Sequence, residues 1–428
     1  MNQLPQDSAY FIKHLLELGR RVRTAVASAR APASATTESL AQVARQSAAD
    51  TIYELDNHID PVLEEFCEAW SREYPLVLIA EGIADRHSGI EGMKCFPAGT
   101  SPSAAAFRLI VDPIDGTRGL MYDKRSGWLL AGVAANQGAA TRLSDIQAAV
   151  QVEIPTSKQN RSDVLWAVRG KGAAAIREDL NYSCATSLAL HPTRATTLAH
   201  GFASVTSFFP GTKVLAAELM EAIARQCGGG TEPDRPLIFD DQYISTGGQL
   251  YEIIIGHDRF VADVRPHFYR LNGWSSGLAA HAYDLSTMLI AQEAGVILTN
   301  GLVLCHAYKL GLTEGQEVVG AKRGGKCIGI YIDDERQSSR PPGPRPAGLA
   351  ANAPSAASQR FKGSTDPVFT VASCIWSVCR QSTLICRRDR ALGLPYLPGT
   401  CYISPKIEAG RWGNSNHYPS CRGRVLRL

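Results

Sequence analysis

Apolar residues recur at helical spacing along the N-terminal part of the chain. Residues 8–30 have the period of an amphipathic helix, and the apolar residues of "DPVLEEFCEAW" (60–70) fall on one helical face. Asp60 can cap this second helix, and Pro61 suits its first turn. We predict a further helix over about residues 38–57, which would run on, after a break, into the segment beginning at Asp60.

Uninterrupted apolar runs predict the strands. Residues 76–82 and 107–112 are expected to form short buried strands, the first ending at Glu81 and the second at Asp112. Further strands are predicted over 127–136, 146–154, 238–244 and 296–300, a strand–turn–strand over 163–176, and further helices over 212–226 and from 284 onwards. Because strands and helices mix without strict alternation, we predict an α+β fold of layered type.

The character of the chain changes near residue 336. Residues 336–358 are rich in Pro, Ser and Ala, as in a linker or a disordered segment, and the following residues lack a sustained apolar period. We therefore predict a domain over residues 1–300, an atypical end over 301–335, and an Arg/Pro/Ser/Cys-rich tail over 336–428 that is disordered or a non-native translation. A Cys/His metal module is the alternative for the tail, but its cysteine spacing is irregular.

Charge divides the chain in the same place. Residues 336–428 carry 14 Lys+Arg against 3 Asp+Glu, which leaves 30 against 38 for residues 1–335, so an acidic body precedes a basic tail. An acidic body suits a protein that collects cations and argues against a nucleic-acid partner. Scattered cysteines in the body, and the lack of a long apolar run, favour a cytoplasmic protein that does not cross a membrane.

The hexapeptide "DPIDGT" follows the apolar run 107–111 directly. Asp112 and Asp115 are expected to converge with the Ile114 carbonyl, giving an oxygen set that suits Mg²⁺. Gly116 allows a backbone amide to approach a ligand, and the Thr117 hydroxyl and nearby amides can hold a phosphate. The sequence therefore predicts a metal and phosphate site here.

A simpler interpretation applies to each part of this pattern taken alone. An Asp-Pro turn followed by an Asp-Gly turn would explain any three of the six residues. By itself, Glu81 would be a solvated strand end and Asp284 a helix N-cap. The prediction of a site rests on the whole hexapeptide after a buried strand, together with these two acids.

Four motifs, in this order along the chain, resemble those of the inositol monophosphatase family, which is related to fructose-1,6-bisphosphatase and the bisphosphate nucleotidases. They are "LIAEG" (78–82), "DPIDGT" (112–117), "AVRGKGAAAI" (167–176) and the aromatic–Asp pair of "WSSGLAAHAYDLSTMLIAQEAGVIL" (274–298). The likeness spans roughly residues 40–300. It implies the layered α-β-α-β-α sandwich of that family.

The resemblance implies a role for each matched residue. Metal ligands would be Glu81, Asp112, the Ile114 carbonyl, Asp115 and Asp284. Thr117, with Glu81, would orient the attacking water, and the amides of Gly116 and Thr117 would hold the phosphate. Asp56 resembles a further acidic position near the metals, and Asp263 an acid that contacts a sugar hydroxyl.

The implied activity is a Mg²⁺-dependent phosphomonoesterase that acts on a small polyol or sugar phosphate. Two or three Mg²⁺ ions and inhibition by Li⁺ are expected, and homodimers are common in the family. A 3′(2′),5′-bisphosphate nucleotidase or a sugar bisphosphatase is the alternative within this class. The alternative from another class is a non-catalytic protein that binds metal or phosphoester, or one damaged at its C-terminal end.

The sequence also departs from the family pattern. Gly82 stands where a second glutamate is usual, and Tyr283 stands in place of tryptophan. After Gly301 the closing strand and helix of the family are not recognisable. These differences leave the substrate and the end of the domain undefined.

Overall fold

The structure is a computed structural model. It describes residues 8–31, 43–46, 51–84, 91–195, 197–227, 237–274, 280–299, 316–320 and 328–333. The predicted tail, 336–428, lies outside the described residues.

Eight strands form the larger sheet, in the spatial order β10-β9-β8-β7-β6-β5-β3-β4. Their bounds are β3 Leu76–Ala84, β4 Glu91–Phe96, β5 Phe107–Asp115, β6 Gly127–Ala135, β7 Ile146–Ile154, β8 Arg161–Val168, β9 Ala173–Asp179 and β10 Cys184–Leu188. Neighbours are antiparallel except β3 and β5, which are parallel. β5 is buried along its whole length, as its apolar run predicts.

The smaller sheet has six strands in the order β12-β11-β13-β15-β14-β16. They are β11 Gly201–Val205, β12 Ile238–Phe239, β13 Asp258–Asp263, β14 Ile297–Thr299, β15 Gln316–Gly320 and β16 Ile328–Asp333. β11 is parallel to both β12 and β13. A separate hairpin pairs β1 Val43–Gln46 with β2 Thr51–Tyr53.

Helices lie on and between the two sheets. They are α1 Ser8–Arg30, α2 Glu54–Asn57, α3 Asp60–Ser71, α4 Thr117–Met121, α5 Lys213–Cys227, α6 Thr246–Ile255, α7 Arg265–Leu271 and α8 Met288–Glu293, with short 3-10 helices at Gly138–Ala140 and Leu143–Asp145. α1 and α3 pack on the larger sheet, α6 and α8 contact strands of both sheets, and α5 packs on β11. The predicted layered α+β fold is therefore confirmed. Across the described residues, no helix is both long and apolar enough to cross a membrane.

The apolar stripe of α1 is what holds this helix on the sheet. Leu15, Leu18 and Val22 are each 0% exposed and belong to the same core as β6 and β7. Full burial stabilises a side chain of this size by about 1.5–3 kcal/mol. Helix α3 joins the same core through Leu63 and Trp70, as its spacing predicts.

Sequence-based predictions for the segment before α3 differ from the structure. The helix expected over 38–57 is wrong over its described part, which contains β1 and β2 before the short α2. Pairing between these strands, which sets Val43 against Tyr53, prevails over the local helical preference. Likewise, residue 59, and not Asp60, is the N-cap of α3.

The segment after residue 301 contributes two strands that its pattern did not predict. β16 pairs with both β13 and β14, and β15 pairs antiparallel with β16. This pairing joins residues 316–320 and 328–333 to the smaller sheet.

Candidate metal centre

A β-bulge in β5 brings Asp112 and Asp115 to one side of the strand. The two residues are three positions apart, so they would face opposite sides of a regular strand. Asp112 pairs with Leu130 and Asp115 with Trp128, so the register shifts by one residue between them. The strand thus continues to Asp115, beyond its predicted end at Asp112, and a bulge accounts for the convergence.

Asp284 completes a cluster of three acids with these two aspartates. It lies in the turn before α8 rather than at the helix N-cap, which is Thr287. One oxygen from each of the three carboxylates can be chosen so that all lie within 4.8 Å of one another. Asp112 is 2% exposed and Asp115 is 8% exposed, so two of the three charges are removed from water.

Burial and mutual repulsion make these carboxylates hard to ionise together. Burial, followed by the carboxylates of Asp284 and Asp115, raises the pKa of Asp112 well above its usual range. Burial and the Asp284 carboxylate likewise raise the pKa of Asp115 to about 7. Like charges at this separation are stabilised by a bound cation, and the all-oxygen donor set fits a hard divalent ion such as Mg²⁺.

The N-terminus of α6 opposes part of this repulsion at Asp115. The Ser245 hydroxyl donates to Oδ2 of Asp115 at 2.8 Å, and the backbone N–H groups of Thr246 and Gly247 donate at 3.2 and 2.5 Å. These hydrogen bonds lower the pKa of Asp115 and fix its orientation. Ser245 also caps α6, since its Oγ accepts from the N–H of Gly248 at 2.8 Å.

Close packing at Gly247 makes this arrangement depend on glycine. A Cβ at this position would lie 2.4 Å from Cδ2 of Leu130 and 3.0 Å from Oδ2 of Asp115. Any side chain would therefore push the helix away from the carboxylate.

The other two acids of the cluster have backbone donors as well. The N–H of Ile114 donates to Oδ1 of Asp112 at 3.0 Å. The N–H of His281 donates to Asp284 at 2.6 Å, and the His281 ring stacks on Tyr283. Each carboxylate is thus held in place by the local backbone.

Thr117 and Asp56 lie close together beside the cluster. The Thr117 hydroxyl donates to the Ile114 carbonyl at 2.6 Å and lies 3.4 Å from Oδ1 of Asp56. Gly116, just before α4, has a φ of 87°, a left-handed conformation that favours glycine. The structure thus gathers the residues of "DPIDGT" and Asp56 in one place.

One cleft of about 100 Å³ collects most of the predicted site residues. Its lining includes Glu81, Asp112, Ile114, Asp115, Gly116, Thr117 and Asp284. Asp263 is absent from that lining and instead forms an ion pair with Arg265. Nine lining residues were not predicted as site residues from the sequence: Arg118, Phe208, Phe209, Ile244, Ser245, Thr246, Arg265, His281 and Tyr283. For Ser245, the "STGG" ahead of an apolar helix is an N-cap signal that could have indicated it.

Comparison with known proteins bears on the fold. No protein family profile and no curated protein matches the chain. The solved structure of Leishmania major fructose-1,6-bisphosphatase in holo form matches with a TM-score of 0.51 and 12% identity, over 75% of this chain and 93% of that one. The extragenic suppressor protein suhB from Bartonella henselae matches at 0.45 with 14% identity, over 73% and 93%. An IMPase from Thermotoga maritima matches at 0.45 with 13% identity, over 72% and 91%.

The chain therefore shares the fold of this fructose-1,6-bisphosphatase. The resemblance seen in the four sequence motifs is confirmed at the level of fold.

Proposed function

We propose that the protein is a Mg²⁺-dependent phosphomonoesterase that hydrolyses a small polyol or sugar phosphate. The observation that carries this proposal is the cluster of Asp112, Asp115 and Asp284, whose ligand oxygens lie within 4.8 Å of one another in a cleft also lined by Glu81 and Thr117. The solved structure that shares this fold is a fructose-1,6-bisphosphatase, which supports the same reaction class.

The three aspartates, with Glu81 and the Ile114 carbonyl, would hold the metal ions. Bound there, Mg²⁺ would lower the pKa of a water molecule and neutralise charge on the phosphate and the departing alkoxide. The protein's own part is to orient the carboxylates and to favour their ionised form through hydrogen bonds, which offset part of the effect of burial. The α6 N-terminus does this at Asp115, and the Ile114 N–H does it at Asp112.

Thr117 and Glu81 are proposed to orient the water that attacks phosphorus. The Thr117 hydroxyl is already directed by its hydrogen bond to the Ile114 carbonyl, so its oxygen can accept from a water in the cleft. The Gly116 and Thr117 amides would hold the phosphate. Asp56, whose Oδ1 lies 3.4 Å from the Thr117 hydroxyl, would help to hold this side chain in position. In-line attack would release inorganic phosphate and an alcohol.

The test is a phosphate-release screen over inositol, sugar and nucleotide phosphates, with and without Mg²⁺. We expect release that requires Mg²⁺ and is inhibited by Li⁺ and by excess Ca²⁺. Asp112→Asn should abolish it, because a neutral amide binds the cation far less well. The matched control is Asp145→Asn, which changes an aspartate in a 3-10 helix that does not line the cleft.

Two results would contradict the proposal. Wild-type turnover by Asp112→Asn would show that the site is assigned wrongly. Mg²⁺ binding without release from any ester would favour the non-catalytic alternative. If a nucleotide 3′-phosphate or a sugar bisphosphate were the preferred ester, the protein would still be a phosphomonoesterase, but its substrate would not be a small polyol phosphate.

A further inference from the structure

A buried glutamine lies in the apolar layer next to the N-terminus of α6. Gln151 belongs to β7 and is 0% exposed, and its cross-strand neighbours Leu130 and Leu165 are equally buried. Its Oε1 has no hydrogen-bond partner among the described residues. Burial of an amide oxygen without a partner destabilises a fold, and an apolar side chain of similar size would avoid this cost. Packing of the sheet therefore does not account for an amide at this position.

The nitrogen of the same amide has a partner in the first turn of α6. Nε2 of Gln151 donates to the Gly247 carbonyl at 2.8 Å, and this carbonyl shares its peptide group with the N–H of Gly248. That N–H donates to Oγ of Ser245 at 2.8 Å, and the Ser245 hydroxyl donates to Oδ2 of Asp115, also at 2.8 Å. A series of hydrogen bonds, which we call the Gln151–Asp115 relay, thus connects the larger sheet to a carboxylate of the candidate metal centre.

All hydrogen bonds of the relay run in one direction, from the glutamine to the carboxylate. Each group that accepts one bond donates the next, so each bond polarises the one that follows it. Since Ser245, Gly247 and Gly248 are buried, little water competes for these groups. Donation by Gln151 therefore strengthens the Gly248 N–H and then the Ser245 hydroxyl as donors to Asp115.

Close packing fixes the geometry of the relay. A Cβ at Gly248 would lie 2.5 Å from Cε1 of Tyr243 and 2.8 Å from Oγ of Ser245. A Cβ at Gly247 would lie 2.4 Å from Leu130, the cross-strand neighbour of Gln151. The two glycines thus allow the backbone of α6 to approach the sheet closely enough for the Gln151 amide to reach it.

We propose that Gln151 is a positioning residue for the candidate metal centre. Through the relay it holds the Asp115 carboxylate in the orientation that binds Mg²⁺. Gln151 does not line the cleft, whereas Ser245 does, so Gln151 acts on the site only through Ser245. The inference rests on the proposed function for the identity of the ion, and binding of Mg²⁺ tests it without any substrate.

Gln151→Met is the informative variant, because it keeps the length of the side chain and removes the amide. The Kd for Mg²⁺, measured by titration calorimetry, should rise about tenfold. The Tm of the metal-free protein should stay the same or rise, because the unpaired Oε1 is removed and the Gly247 carbonyl keeps its donor within the helix. The matched control is Gln147→Met, at an exposed position of the same strand, which should leave both quantities at wild-type values.

A double variant tests whether the effect passes through Ser245. In Ser245→Ala the relay is already broken, so adding Gln151→Met should change the Kd for Mg²⁺ by less than about twofold. Two independent contributions would instead multiply, giving the product of the two separate increases in Kd.

Three outcomes would overturn the inference. One is a wild-type Kd for Mg²⁺ in Gln151→Met, and another is a multiplied increase in Kd in the double variant. The third is a fall in the metal-free Tm of Gln151→Met by more than about 5 °C, which would show that the amide supports the fold instead. The proposed function would survive each of these if phosphate release still required Mg²⁺. A wild-type protein that neither binds Mg²⁺ nor releases phosphate would refute both.

Discussion

Ser245→Ala tests whether the N-terminus of α6 organises the candidate metal centre. The Ser245 side chain is buried and makes two hydrogen bonds of 2.8 Å, accepting from the Gly248 N–H and donating to Asp115. Loss of an N-cap costs about 1 kcal/mol, and loss of a hydrogen bond to a charged group costs about 1.5–3 kcal/mol. We expect a total of about 2–4 kcal/mol, because the change leaves Gly248 without a cap and Asp115 without one of its donors.

Thermal unfolding and Mg²⁺ titration of phosphate release measure the two parts of this effect. A loss of 2–4 kcal/mol should lower Tm by roughly 5–15 °C for a domain of this size. The Mg²⁺ concentration for half-maximal release should rise about tenfold, since a less firmly oriented Asp115 is a poorer ligand. Ser245→Thr, which keeps the hydroxyl, should recover part of both.

The control is Ser187→Ala, which removes an exposed hydroxyl from the edge strand β10. It should leave Tm and the Mg²⁺ dependence at wild-type values. If Ser245→Ala behaved as this control does, the helix N-terminus would have no part in holding Asp115, and the reasoning would be refuted.

Three further predictions follow from the same geometry. The pKa values of Asp112 and Asp115 in the folded protein are raised, that of Asp115 to about 7. The metal-free protein should therefore lose stability as pH rises from about 4 to 8, and Mg²⁺ should remove this dependence of stability on pH. Denaturant unfolding in EDTA measures it, and a stability that increases with pH would contradict the prediction. Gly247→Ala should lower Tm and raise the Mg²⁺ concentration needed for half-maximal phosphate release, because its Cβ would lie 2.4 Å from Leu130. An unchanged Tm would show that α6 can shift to accommodate the added methyl group. Residues 1–335 should unfold as cooperatively as the full chain, whereas residues 1–300 should not, because β15 and β16 pair with β13 and β14; calorimetry of the three chains decides this.

The local half of the site was predictable from the sequence. "DPIDGT" follows a buried strand, so the positions of Asp112 and Asp115 at its end were readable from the apolar run alone. The bulge that aligns them was not, because it depends on pairing with β6. A sequence shows which residues follow a strand, whereas the register of its partner decides which side they face.

The layered fold was predictable in outline, and the failures share one cause. Strands β3, β5, β6 and β7 of the larger sheet have apolar runs that predict buried strands, whereas β1, β2, β15 and β16 are short strands of mixed composition. Their conformation comes from hydrogen bonding to a partner strand, and no local preference specifies it. The same applies to α2, which is too short to show a period.

Residues that contact the metal-binding aspartates or line the cleft can lie far from the motifs in sequence. Ser245 lies 130 positions from the aspartate that it contacts, and Arg265 reaches the cleft only because β11 and β13 are neighbours. Such contacts leave little trace in a single sequence, because each residue taken alone has an ordinary explanation as a cap or an ion-pair partner. The three clustered aspartates define what the cleft can bind at its centre. Arg265 lines the wall of the same cleft and lies outside the four motifs, so this part of the lining could not be identified from them.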